Sequence, residues 1–186
     1  MTEDEIISGL CDQRYEEIKA RVADLFESCK ICCLPVNAFE IAARLGLHIA
    51  PYSVRPNWIR TLSLKQKDGF SLTFKGKTYI FYNDEKSYER QNWTILHEIG
   101  HHVLGHRESS IVAEREADFF AKYALIPPPL VHKLGITKPE EIQAYFNASR
   151  EAARYGMNYY QKWLRQHSTT FSRTETRILQ LFAAAS

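Results

Sequence analysis

The stretch Trp93-Thr94-Ile95-Leu96-His97-Glu98-Ile99-Gly100-His101 constrains the chain more than any other. Leu96, Ile99 and Val103 recur at helical spacing, so the segment reads as an amphipathic helix from about Ser87 to Leu104, stopped by Gly105. On such a helix His97 and His101 stand one turn apart on one face. That is a separation at which two imidazoles can share one tetrahedral cation. Glu98 is adjacent to His97, so its carboxylate can face the open side of such an ion without binding it. Two histidines and a glutamate on a buried helix face are costly unless something there uses them.

Catalytic zinc takes three protein ligands and keeps one open position, so a third ligand is needed. The next helix, about Ser110 to Leu125, carries Glu114, Glu116 and Asp118. Ala113, Ala117, Phe120, Ala121 and Ala124 recur at helical spacing and predict a face that packs closely on the first helix. Glu114 is the expected third zinc ligand, with Glu116 in reserve. Asp118, one turn beyond Glu114, is expected to accept the free ring N–H of a ligand histidine. His102 faces about 100° away from His101 and is not expected to share the ion. His106 is expected to be solvent exposed, and His48, His132 and His167 have no spacing that assigns them a role.

The rest of the pattern predicts an α+β chain, mostly helical, with a small antiparallel sheet of about three strands. Residues 3–29 form a helical stripe through Ile6, Ile7, Leu10, Tyr15, Ile18, Val22, Leu25 and Phe26. A second helix begins near Pro35, carries Phe39, Ile41, Ala42 and Leu45, and stops at Gly46; a short strand, 47–50, ends at Pro51. Residues 61–82 alternate as a meander. Leu62 and Leu64 come first, Asp68-Gly69 is a turn signal, Phe70, Leu72 and Phe74 follow, Lys75-Gly76-Lys77 turns, and residues 78–82 close it. Pro127 to Pro129 end the Glu114 helix, and residues 137–186 read as two or three helices with a break at Phe146-Asn147. The expected organisation is a core with N-terminal helices over residues 1–132 and a helical tail packed on it over 133–186.

A chain of 186 residues with 45% apolar and 25% charged residues can build a core without disulfides. A formal charge of +2 argues against a strongly basic nucleic-acid binder. No apolar run approaches the roughly 20 residues that span a bilayer. The acidic start with Glu3, Asp4 and Glu5 is not that of a secretory leader, so the expected location is the cytoplasm. Cys11, Cys29, Cys32 and Cys33 fall in the first fifth of the chain, and reduced thiols are the expected state; the Cys29-Lys30-Ile31-Cys32 spacing leaves a redox or metal role open.

Taken in order, several segments resemble the ImmA/IrrE family of intracellular zinc metallopeptidases. They are Pro35-Val36-Asn37 with Ile41-Ala42 and Leu45-Gly46-Leu47, then Tyr79 to Asn83, then Arg90 to His101. Glu114 to Asp118 with Phe120-Ala121 and Leu125-Ile126-Pro127 complete the set. The resemblance covers about residues 31–150. It implies a zincin-like core of the gluzincin type, with Zn2+ held by His97, His101 and Glu114 and with Glu98 as general base. It also implies that a DNA-binding repressor of the helix-turn-helix kind is the protein substrate, as in members carried by phages and mobile elements. An extended substrate could pair with the edge of the sheet over 61–82. Tyr123 and His132 are candidates for stabilising the oxyanion. The alternative is a zinc-containing regulatory or adaptor protein that binds a repressor without cutting it, for which Glu98 would have no use. The segment Tyr145 to Ala152 is faintly similar to a helix-turn-helix, but its flanking helices are short, and it is read as part of the tail. No direct contact with nucleic acid or membrane is expected, and the sequence is silent on oligomeric state.

Overall fold

The computed structural model describes residues 11–54, 68–166 and 170–183. Its elements in order are α1 (Asp12–Ser28), α2 (Ala38–Arg44), β1 (His48–Pro51), a 3-10 turn (Tyr52–Val54), β2 (Gly69–Phe74), β3 (Lys77–Tyr82), α3 (Tyr88–Leu104) and α4 (Ile111–Leu125). Four further helices follow: α5 (Pro128–Lys133), α6 (Pro139–Phe146), α7 (Arg150–Gln166) and α8 (Arg173–Ala183). The class is α+β, mostly helical with a small three-stranded sheet, as the periodicity predicts. Among the described residues no helix is long and apolar enough to cross a membrane.

The sheet differs from the expected meander. Its order is β1-β3-β2; β2 and β3 are antiparallel with Ser71 opposite Ile80, whereas β1 runs parallel to β3 with Ile49 opposite Ile80. The sheet is therefore mixed. The local turn at Lys75-Gly76 dictates the hairpin, but β1 reaches β3 through a long connection, which permits a parallel partner. The strand expected at Leu62 and Leu64 lies outside the described residues, as do Ile6, Ile7, Leu10 and His167.

Local chemistry sets the helix ends. The Asn37 side chain accepts from the backbone N–H groups of Phe39 and Glu40, so α2 starts after it rather than at Pro35. Ser87 caps α3 and Ser110 caps α4 through their hydroxyls. Pro139 occupies the first turn of α6, and Asn147, at φ +48°, ends it.

One hydrophobic core runs through the helices. Ile18, Val22 and Phe26 of α1, Ile41 of α2, Ile95, Leu96 and Ile99 of α3, and Phe120, Ala121 and Ala124 of α4 are all fully buried in it. The chain after residue 132 contributes Ile142, Phe146, Ala153, Ile178 and Phe182 to the same cluster. Arg177 of α8 also reaches Asp24 and Glu27 of α1 at 2.8 and 2.5 Å.

Two glycines bring the elements around α3 close together. A Cβ on Gly100 would stand 3.0 Å from Phe120 Cδ1 and 3.3 Å from Ala117 Cα, so its absence lets α4 lie tightly against α3. A Cβ on Gly69 would come within 2.4 Å of Thr94 Cγ2, so β2 can press against the same helix from another side. A helix bearing histidines is thereby clamped between a second helix and a strand.

A candidate metal centre between two helices

Helix α4 returns antiparallel along α3, which places Glu114 beside His101 and Asp118 beside His97. The Nε2 atoms of His97 and His101 are 3.1 Å apart. Glu114 Oε2 is 3.3 Å from His97 Nε2, and Glu114 Oε1 is 3.6 Å from His101 Nε2. One ligand atom from each of the three residues lies within 4.8 Å of the others, the spacing that lets them hold one metal ion. Glu116 does not join them. Two residues further along the helix it points elsewhere, and its carboxylate is gripped by Arg14 of α1, with Nε–Oε1 at 2.7 Å and Nη2–Oε2 at 2.6 Å.

His106 departs from its expected exposure. Gly105 takes φ +74°, and the backbone N–H of His106 then donates to the carbonyl of His101 at 3.0 Å. The turn folds the His106 ring back over the end of α3. Its Nδ1 lies 2.9 Å from Nδ1 of His101, and its Nε2 lies 2.9 Å from Glu116 Oε2. A residue just beyond a predicted helix stop carries no periodic signal, so spacing alone could not place it. The Gly105 C-cap was the available clue.

The hydrogen-bond chain assigns the tautomers, and with them a test of whether a cation fits. Hydrogen bonds from Arg14 hold the Glu116 carboxylate below its usual range despite burial, so Glu116 accepts. The His106 ring therefore donates from Nε2 to that carboxylate, which leaves Nδ1 to accept. His101 must then donate from Nδ1, which leaves its Nε2 bare. On the other side, His97 Nδ1 is sealed from solvent and meets Asp118 Oδ1 at 3.0 Å, off the ideal hydrogen-bond line. A proton there leaves His97 Nε2 bare as well. Two bare imidazole nitrogens and a carboxylate thus face one another without a shared proton. A divalent cation satisfies all three at once, and the mixed nitrogen and oxygen donor set suits zinc.

The electrostatics agree. Burial alone would lower the His97 imidazole, but Asp118, Glu98 and Glu114 outweigh it and the net direction is upward. His101 is shifted down, first by burial and then by the neighbouring His97. Asp118 would be raised by burial, yet His97 draws it below its ordinary value. Glu98 is only 8% exposed, and burial pushes its carboxyl up, opposed in part by hydrogen bonding from Ser71 of β2. A raised carboxyl is a better proton acceptor than an ordinary surface glutamate.

These groups open onto a cavity of about 490 Å³. Its lining includes His97, Glu98, His101, Glu114 and Asp118, with Ser71 from β2 and Trp93 from α3 on its walls. Neither proposed oxyanion residue reaches it. Tyr123 is buried elsewhere, with Lys19 5.9 Å from its ring centre, and His132 bonds the Tyr160 hydroxyl at 3.0 Å. Both sit on faces that helical spacing alone could not relate to the cavity. His102 is exposed, as expected from its angular offset, and His48 is exposed and stacks on Tyr79. The four cysteines are free, with Cys29 buried and Cys11 and Cys33 exposed.

No curated protein matches the chain. Residues 55–158, just over half the chain, match the model of peptidase family M78, described as the IrrE N-terminal-like domain. That span contains both histidines, Glu98, Glu114 and Asp118, so the family match and the cavity fall on the same part of the molecule. The chain therefore belongs to the IrrE N-terminal-like family of metallopeptidases.

Proposed function

We propose that the protein is a cytoplasmic zinc-dependent endopeptidase that cleaves a DNA-binding repressor of the helix-turn-helix kind. The observation that carries the peptidase reading is the convergence of His97, His101 and Glu114 beside the buried carboxylate of Glu98 in one open cavity. The repressor as substrate rests on the resemblance to ImmA/IrrE proteins. A zinc ion held by the three residues would supply Lewis acidity, polarising the scissile carbonyl and acidifying water to a pKa near about 7.

The chain's own residues do the rest. Glu98 removes a proton from the attacking water and returns it to the leaving amine nitrogen. Its burial favours the first half of that task by holding its proton affinity above that of a solvated carboxylate. Asp118 orients the His97 ring from the side away from the cluster. Among the described residues β2 is an edge strand, and its first residues line the cavity. An extended substrate segment can pair with β2 and bring a peptide bond over Glu98.

The test uses the purified protein with helix-turn-helix repressors from the same source, any encoded beside its gene first. Wild type with one equivalent of zinc should cut one of them, a chelator should stop it, and Glu98→Gln should keep zinc and lose cleavage. Stable binding of the repressor with no cleavage by the zinc-loaded wild type would favour the adaptor reading instead. Glu98 argues against that reading, because a purely structural site has no use for a buried base.

A further inference from the structure

We propose that His106, Glu116 and Arg14 form a positioning relay that fixes the direction and tautomer of His101 and thereby sets the affinity of the metal centre. The inference rests on reading His97, His101 and Glu114 as the ligands. It adds three residues to that reading and ties the N-terminal helix to the metal site.

The relay is continuous. It runs from His101 Nδ1 to His106 Nδ1 at 2.9 Å and from His106 Nε2 to Glu116 Oε2 at 2.9 Å. From Glu116 it passes to the Arg14 guanidinium through two bonds of 2.6 and 2.7 Å. Its middle is largely buried, the side chains of His106 and Glu116 being only 12% and 9% exposed, with His106 reaching the cavity wall. At that burial a wrong proton placement costs a hydrogen bond that water replaces only in part, so the chain favours one orientation of each ring. Arg14 suits its place because its planar fork binds both carboxylate oxygens, which a lysine cannot do. With both oxygens held, Glu116 cannot swing toward the ligand cluster. Arg14 and Glu116 are 102 residues apart in sequence, so the contact exists only when α1 is docked on α4. These residues act through His101 and do not themselves touch substrate.

A plain structural ion pair joining α1 to α4 predicts something different from a relay. It predicts loss of stability with no specific change at the metal. The experiment therefore measures zinc affinity by chelator competition, the visible spectrum of the cobalt-substituted protein, and the thermal stability of the metal-free protein. His106→Phe keeps ring volume and removes both hydrogen bonds. It should lower zinc affinity about 10- to 100-fold and shift the cobalt bands. His106→Gln can still accept from His101 and donate to Glu116, and it should restore most of that loss. Glu116→Gln keeps its shape, loosens the Arg14 clamp and should fall between the two. It decides the matter if His106→Phe does not fold. Zinc affinity within twofold of wild type and an unchanged cobalt spectrum in the folded variants would overturn the relay while leaving the metal site intact. A wild type that takes up neither ion would overturn both.

Discussion

The two histidines of the candidate metal centre stand one turn apart on one helix, yet they are supported in opposite ways. His97 leans on a single acid, Asp118, whose side chain is 42% exposed at the edge of the cavity. His101 leans on His106, then Glu116, then Arg14, a largely buried chain that reaches another helix. The first support comes from the same helix as Glu114 and needs only correct helical spacing. The second needs a helix end, a left-handed glycine and a residue from the beginning of the chain to meet. Water can stand in for part of the first support. Water can replace less of the second, because the His106 and Glu116 side chains are only 12% and 9% exposed. The asymmetry implies that the centre fails softly on the His97 side and sharply on the His101 side.

The largest expected effect falls on the acid that both histidines share. Glu114→Ala should cost about 3–4 kcal/mol of metal binding, more than a hundredfold, by calorimetry or chelator competition. Retained stoichiometric zinc in that variant would remove the shared corner from the comparison. Next comes Glu98→Gln, which should leave zinc content unchanged and reduce repressor cleavage about 100- to 10,000-fold.

The third prediction addresses the asymmetry itself. Asp118→Asn should lower zinc affinity by no more than about tenfold, at the bottom of the range for such supporting groups, and so less than His106→Phe. Equal losses, or a larger loss at Asp118, would show that burial of the support is not what matters.

The smallest effect concerns stability. Burial raises the Glu98 carboxyl above its ordinary value, so the metal-free folded chain holds that proton to higher pH than the unfolded chain does. As pH rises from the unfolded value through the folded one, ionisation of Glu98 takes stability away, and above that window the whole penalty is present. Metal-free Glu98→Gln should then melt higher than wild type at neutral pH by about 2–4 °C, on the order of 1 kcal/mol. The gap should close in acid below the ordinary glutamate range. A variant that is less stable at neutral pH would show that Ser71 compensates the buried charge in full.

Much of this arrangement was legible in the residues. The bounds of α3 and α4 follow from Ser87, Gly105, Ser110 and Pro127, each of which acts within a few residues of itself. Ala113, Ala117, Phe120, Ala121 and Ala124 are all buried, as their period requires, and that face points Glu114 and Asp118 toward the histidines. The partner of β1 was not legible, because pairing direction depends on a long connection rather than on the strand's own pattern. Tyr123 and His132 could not be placed without the packing of α4 and α5.

The sequence alone determined the spacing of the histidines, the turn on which Glu98 sits and the extent of the two helices. A helix bonds within its own segment and advances by a fixed rotation per residue, so local residues suffice. Tertiary structure decided that Glu114 rather than Glu116 meets the imidazoles, that His106 folds inward, and that Arg14 closes on Glu116. Each of those outcomes depends on which faces of distant helices come into contact. That is settled by burying the whole apolar surface together, a quantity that no short stretch of residues contains.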